Sequence, residues 1–220
     1  MIIIVKAQLL NGSHYYNVSG INVPSVTTIL KPLSPFYNEK PSTNDNNTFK
    51  NIYANIGTHI HYNILKQFDK IEVPDEELPD FPWITEKINN SMKQWNNFVK
   101  DHEIEVHAVE QFVYSGGIYP FAGRLDMICD IDGKRCILDI KTGNEYEYYD
   151  YQLAAYWGIA KSDKLITDGI LLYIYAHPKK NPDNIYREVW YDIDELNKNN
   201  YYFMCYAKDW YDSKNGPKVI

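Results

Sequence analysis

The sequence predicts an α/β fold in which a mixed β-sheet is flanked by helices. Three observations predict it. Residues 121–141, FAGRLDMICDIDGKRCILDIK, read as a β-hairpin, because Asp-Gly between two apolar runs suits a two-residue turn with positive φ at both central positions. Two stretches carry helical periodicity, with Ile56, Ile60, Ile64 and Phe68 in one and Ile88, Met92, Trp95 and Val99 in the other. Finally, the order strand, hairpin, helix, strand through residues 104–176 builds a sheet with helices against it.

The elements follow in chain order. Residues 2–30 read as strands and turns, with MIIIVKAQLL as an N-terminal strand. Residues 31–51 are rich in Pro, Asn, Ser and Thr and read as a loop. A helix is expected over 51–69, with His61 one step round from its apolar stripe. Residues 69–82 form an acidic connection broken by prolines. A second helix is expected over 84–101, and an alternating strand over 104–114. After the hairpin come a helix at 148–161, strands at 168–176 and 185–191, and a helix at 193–212. The chain contains no internal repeats and reads as a single domain over residues 1–220.

Composition narrows the class. The chain of 220 residues is long enough for a substantial core, and 45% hydrophobic with 23% charged residues suits a globular protein. No apolar run reaches transmembrane length, and the N-terminus lacks a signal-peptide cleavage site. The three cysteines, Cys129, Cys136 and Cys205, show no paired spacing. The expectation is a protein that is not secreted and has no membrane partner. It would lie in the cytoplasm of a bacterial or phage-infected cell, or with a nucleoid or organelle. A net charge of −7 argues against a passive nucleic-acid coat. Nucleic-acid contact would then need local patches such as Lys31, Lys40, Lys50, Lys134-Arg135 or Lys179-Lys180, each of which also reads as a solvated face. The tyrosines at 146, 148, 149, 151, 201, 202 and 206 could stack bases, but half-buried packing is the favoured reading.

The hairpin register carries the chemistry. With Asp132-Gly133 as the loop, Ile131 faces Lys134, Asp126 lies opposite Asp139, and Arg124 lies opposite Lys141. Period-two alternation puts all four on one face. Two opposed carboxylates repel unless a cation lies between them; a neighbouring lysine or arginine could serve, but a divalent metal with oxygen ligands fits that place better. Neutralising either aspartate should then leave the metal-free fold as stable or more so. A surface hairpin with solvated charges is the competing reading. Leu125, Ile128, Ile137, Leu138 and Ile140 count against it, because they make both faces partly apolar, and charges in a strand buried on both sides are costly unless paired or metal-bound.

These residues resemble the PD-(D/E)XK nuclease superfamily. The G-x-x-D of Gly123 to Asp126 and the D-x-K of Asp139, Ile140 and Lys141 look like its core hairpin. Within it the RecB-like exonuclease branch is the most similar. GTHIH (57–61) resembles that branch's G-x-x-x-H, with His61 as candidate ligand. Glu110 matches the upstream acidic residue, and QLAAY (152–156) matches the Q-x-x-x-Y that follows D-x-K-T-G. VPSVTTIL (23–30) looks like the opening of phage and mitochondrial-type exonucleases of this branch. The motifs occur in the family's order over roughly residues 55–160; the last sixty residues carry no matching motif.

The resemblance implies a restriction-endonuclease-like αβββαβ core. It implies one or two Mg²⁺ or Mn²⁺ ions held by Asp126, Asp139, the Ile140 carbonyl and His61. Glu110 would be a further ligand or hold metal-bound water. Lys141 would be the catalytic lysine, while Gln152, Tyr156, Arg124 and Thr142 would contact the nucleic acid; core packing beside Trp157 is an equal reading for Tyr156. Other members of the branch carry an iron–sulfur cluster on four cysteines; three cannot supply four thiolates, so no cluster is expected. The 31–51 loop and the 84–101 helix are expected as additions roofing the site. The implied function is a DNA exonuclease of replication, recombination or repair, acting on single strands from a free end. A structure-specific endonuclease and a catalytically silent nucleic-acid-binding or inhibitory protein remain the alternatives. Protein partners, digestion polarity and DNA-versus-RNA preference are not readable from the sequence.

Overall fold

The computed structural model describes residues 5–10, 13–35, 46–74, 77–161, 166–174 and 185–213. Strands β1 (Val5–Leu10), β2 (Ser13–Val18) and β3 (Ile21–Pro24) form a small antiparallel sheet. The Ser19-Gly20 turn joining β2 to β3 has positive φ at both residues, 51° and 91°, as a tight hairpin requires. A short helix α1 (Val26–Leu30) follows, where strands and turns were expected. Ser25 starts it by accepting a hydrogen bond from the Thr28 N–H.

The main sheet holds β4 (Ile104–Ser115), β5 (Phe121–Ile131), β6 (Lys134–Lys141), β7 (Asp168–Tyr173) and β8 (Arg187–Tyr191), side by side in that order. All neighbours are antiparallel except β6 and β7. That parallel pair needs a crossover, which α4 (Tyr148–Ala160) supplies. The other helices are α2 (Asn46–Leu65), α3 (Pro82–Asp101) and α5 (Ile193–Asp212). The mixed sheet flanked by helices is the expected fold class.

The sheet is buried on both sides. One layer packs α1, α4 and α5 against Leu125, Ile137 and Leu171 through Leu153, Trp157 and Phe203. The other packs α2 and α3 against Met127, Leu138, Ile170 and Leu172 through Ile60, Ile64, Trp95 and Phe98. Helix α3, expected as a roof, therefore also supplies core. Helix α2 starts at Asn46, inside the stretch expected to be loop, and ends at Leu65, short of the expected 69. Residues 31–33 are a 3-10 turn. The rest of that loop, over 36–45 and including Lys40, lies outside the described residues, as do Lys179-Lys180 and the last two residues of the strand expected over 168–176.

Candidate active site

The hairpin turn has the expected register. Ile131 pairs with Lys134, and Asp132 and Gly133 have φ of 50° and 79°. The ladder between β5 and β6 runs back to Met127↔Leu138 and stops there. Before Met127, β5 stays with β4, through Arg124↔Phe112 to Phe121↔Ser115, and Ala122 bridges Ser25 on its other edge. After Leu138, β6 stays with β7, through Asp139↔Leu171 to Lys141↔Tyr173. The two strands therefore separate at Asp126 and Asp139, and the candidate site lies where they part.

This corrects the expectation that four charged residues share one face. Asp126 is turned toward α2, with Oδ1 3.5 Å from His61 Nδ1, while its Oδ2 accepts the Ile140 N–H at 2.7 Å. Lys141 is held from the α4 side. It forms an ion pair with Asp139 Oδ2, donates to Gln152 Oε1 at 3.2 Å, and lies 4.3 Å from the centre of the Tyr149 ring. Arg124 does not face Lys141; its guanidinium is 3.5 Å from Glu110 Oε2 on β4. The physical reason is a slip in the strand alternation. Leu125 and Met127 are two residues apart yet lie in opposite core layers. Across from them, Val109 and Gln111 are paired while Glu110 between them is not, and Glu110 has φ 50°. A single irregularity thus re-aims both Asp126 and Glu110, as bulges beside functional sites do.

The electrostatics follow from this crowding. Asp139 is 2% exposed, and burial pushes its carboxyl up to about 6 although Lys141 opposes the shift. Its Oδ2 is buried, and the Lys141 ammonium is its partner among the described residues. Burial would raise Asp126 as well, but His61, Lys141 and the Ile140 N–H together hold it below the ordinary carboxylate value. For His61, burial works downward, and the Asp126 carboxylate outweighs it and raises the imidazole. Glu110 is raised by burial and by the nearby Asp126 charge, against Arg124. The site therefore crowds three carboxyl groups, Asp126, Asp139 and Glu110, against His61, Lys141 and Arg124. A divalent cation fits these donors: hard oxygens from Asp126 and Asp139, with an imidazole beside them.

Two glycines explain their motifs. A Cβ on Gly57 would lie 3.0 Å from Thr142 Oγ1, so Gly57 lets α2 approach the end of β6. A Cβ on Gly123 would lie 2.4 Å from Tyr156 Cε1. Tyr156 itself is 4% exposed and packs in the core, so the strand contact implied for it is not available to it. Gln152, 9% exposed, binds Lys141 and donates to the Tyr156 hydroxyl at 3.4 Å. Thr142 is half-buried and Arg124 exposed.

Sequence reasoning missed the groove beside the site. It has a volume of about 1130 Å³ and is lined by Thr58, His61 and Tyr62 of α2, by Glu110 and Arg124, and by residues 69–74 with Lys70. Those last residues had been read only as a connection; their position follows from the tertiary fold. Tyr149 was also missed as a partner of Lys141, although it lies one turn before Gln152 on the same helix. Elsewhere, Glu105, His107 and Asp130 bring ligand atoms within 4.8 Å of one another, the one such group among the described residues. Asp130 there is gripped by the Arg135 guanidinium and sits 3.1 Å from His107, and these partners hold its carboxyl down at about 2. That cluster already has its cation.

The fold and the donor set are those of a metal-dependent nuclease. The model of the PD-(D/E)XK nuclease superfamily matches residues 54–216, and the chain belongs to that superfamily. Its members are nucleases that use divalent metals. Among solved structures the chain is similar to one titled "Crystal structure of SSO0001". The identity is 16% and the TM-score 0.35, over 74% of this chain and 89% of that one, a likeness too low to carry any argument. No curated protein matches the chain. Among the described residues no helix is long and apolar enough to cross a membrane.

Proposed function

We propose that this nuclease is a Mg²⁺- or Mn²⁺-dependent exonuclease that degrades single-stranded DNA from a free end, in replication, recombination or repair. The observation that carries the metal-dependent part is the convergence where β5 and β6 part: the buried Asp139 carboxylate, held by Lys141, lies across the strand gap from the Asp126–His61 pair. Asp126, Asp139, His61 and the Ile140 carbonyl would hold the ion, with Glu110 as a further donor. When bound, the ion supplies Lewis acidity toward a phosphate oxygen and an acidified water.

The chain's own groups do the rest. Lys141, fixed between Asp139 and Gln152, orients the attacking water or stabilises charge developing on the phosphate. Water adds to phosphorus and the bond to one sugar oxygen breaks, leaving a phosphomonoester and a free hydroxyl. Arg124, paired with Glu110, and Thr142 would meet the phosphates of the strand. What supports entry from an end is the groove beside His61, walled on its outer side by residues 69–74, in a chain of net charge −7. Lys70 and Arg124 are the lysine and arginine of its lining, and Asp69, Glu72 and Glu110 stand among them, so a strand entering there would rely on bound metal to offset the acidic groups.

The test uses end-labelled linear and covalently closed circular single-stranded DNA with Mg²⁺ or Mn²⁺. Linear strands should shorten progressively and circles survive. Asp126→Asn and Asp139→Asn should abolish cleavage, whereas Asp130→Asn should not. Efficient cutting of circles would establish an endonuclease instead. Loss of activity in Asp130→Asn alone would move the metal centre to the other cluster.

A further inference from the structure

A second feature lies partly on the same helix as His61, two turns nearer its start. Tyr53 of α2 is 51% exposed and Phe81, at the start of α3, is 48% exposed. Between them stands Trp83. The Phe81 and Trp83 rings are stacked, 12° apart in plane with centroids 6.4 Å apart, and Tyr53 meets Trp83 at 5.8 Å. Beneath the rings is Lys87, only 7% exposed. Its ammonium lies 4.2 Å from the centre of the Tyr53 ring and 5.7 Å from that of Trp83. Among the described residues no carboxylate pairs with it, and burial lowers its pKa.

Neither half of this arrangement is ordinary packing. Exposed aromatic rings at a corner between two helices gain little from the core behind them. A desolvated lysine paired only with ring faces is costly unless an anion completes it. Rings that can stack planar groups, together with a cation that wants an anion, match one ligand chemistry: bases and phosphates of an unpaired nucleic-acid strand. A duplex keeps its base faces covered and cannot use the rings. Position agrees with this occupant. Tyr53 precedes His61 by eight residues, which is about 12 Å along a helix, and Gly57 between them lies about 40° round from Tyr53. A strand whose phosphate reaches the candidate metal site would cover the rings with nucleotides a few places along.

We propose that Tyr53, Phe81 and Trp83, with Lys87, form a binding site for unpaired nucleotides that extends the substrate path beyond the cleavage site. The proposal rests on the nuclease reading above and deepens it by naming the secondary contact.

The experiment separates binding from cleavage. Fluorescence anisotropy of a labelled oligo(dT) strand and of a blunt duplex is measured with the full chain in EDTA. Cleavage of a small chromogenic phosphodiester with Mn²⁺, which can touch only the metal site, is measured in parallel. Tyr53→Ala and Phe81→Ala should each weaken oligo(dT) binding by about tenfold, as loss of one stacking ring does. Lys87→Met should weaken it further and flatten its salt dependence. All three should keep wild-type cleavage of the small diester and, for the two exposed aromatics, wild-type Tm. Wild-type oligo(dT) affinity in Tyr53→Ala and Phe81→Ala overturns the proposal while leaving the nuclease reading intact. So does a concentration-dependent dimer that either variant dissolves, because the patch would then be a contact between copies. Ring-dependent oligo(dT) binding without cleavage of any diester supports the platform and removes the nuclease reading.

Discussion

Gly123 lies directly under the ring of Tyr156, so close that a Cβ at Gly123 would stand 2.4 Å from Tyr156 Cε1. The two residues come from different motifs, G-x-x-D on β5 and Q-x-x-x-Y on α4, and the contact locks α4 onto the strand that carries Asp126. Gly123→Ala should therefore cost about 1–3 kcal/mol, the range for overpacking a tight core. Chemical denaturation measures it. Tyr156→Leu should recover part of the loss in the double variant, because the two sites share one contact. Equal losses with and without Tyr156 would show that the glycine matters for another reason.

Gln152 is buried with its Oε1 on the Lys141 ammonium, which makes it a positioning residue. Gln152→Ala should lower kcat by about tenfold to a hundredfold. That is less than Lys141→Ala, which removes a group aimed at the transition state and should cost about 10²–10³-fold. In both, KM for DNA should stay near wild type. A rise in KM with kcat unchanged would place Gln152 on the DNA rather than behind the lysine.

Glu110 sits at φ 50°, a backbone conformation that only glycine adopts freely. Glu110→Gly should then be more stable than Glu110→Ala by about 1 kcal/mol, and neither should cleave at the wild-type rate. Thermal melts of the two variants side by side decide this. Equal stabilities would mean that the strand relaxes on substitution and that no strain is stored there.

How much of this was legible in the sequence follows from what local patterns encode. Asp132-Gly133 gives the hairpin register because a two-residue turn admits one pairing, and Ile131 does face Lys134. The four-residue spacing of Ile56, Ile60 and Ile64 gives the buried face of α2. His61, Asp126, Asp139 and Lys141 were all singled out, and they do lie around the parting of β5 and β6. What the pattern could not carry is the parting itself. A period of two assumes an unbroken ladder, and the slip between Leu125 and Met127 depends on which partner each strand keeps, a tertiary choice. For the same reason Arg124 was placed opposite Lys141 and is found on Glu110. For Tyr156 the sequence leaves strand contact and core packing open because it gives no depth, and the α4 packing shows it buried. The ring cluster at Tyr53, Phe81 and Trp83 spans two helices joined by a connection without periodicity, so nothing in the sequence joins it.

The two aspartates, alike in sequence, should respond oppositely to neutralisation. Asp139 is raised to about 6 by burial, so the folded chain keeps a proton that the unfolded chain, near 3.8, has already released. Stability therefore falls as pH rises from about 4 to about 6, and the penalty is complete above that. Asp139→Asn removes the penalty, so in EDTA its Tm relative to wild type should increase from pH 4.5 to pH 7.5. Asp126 is held below its ordinary value by His61, Lys141 and the Ile140 N–H, so its ionised form stabilises the fold at neutral pH and that contribution is lost as pH falls. Asp126→Asn should lower Tm at pH 7.5 and approach wild type in acid. For Asp126 this reverses the expectation from sequence, where mutual repulsion alone would make both changes neutral or stabilising. Adding Mn²⁺ at pH 7.5 should raise the Tm of wild type and of neither variant, because a cation that binds only the folded site stabilises it by mass action. Equal responses of the two variants to pH would mean that Asp126 and Asp139 share one environment, and the strand parting would not be the feature that sets them apart.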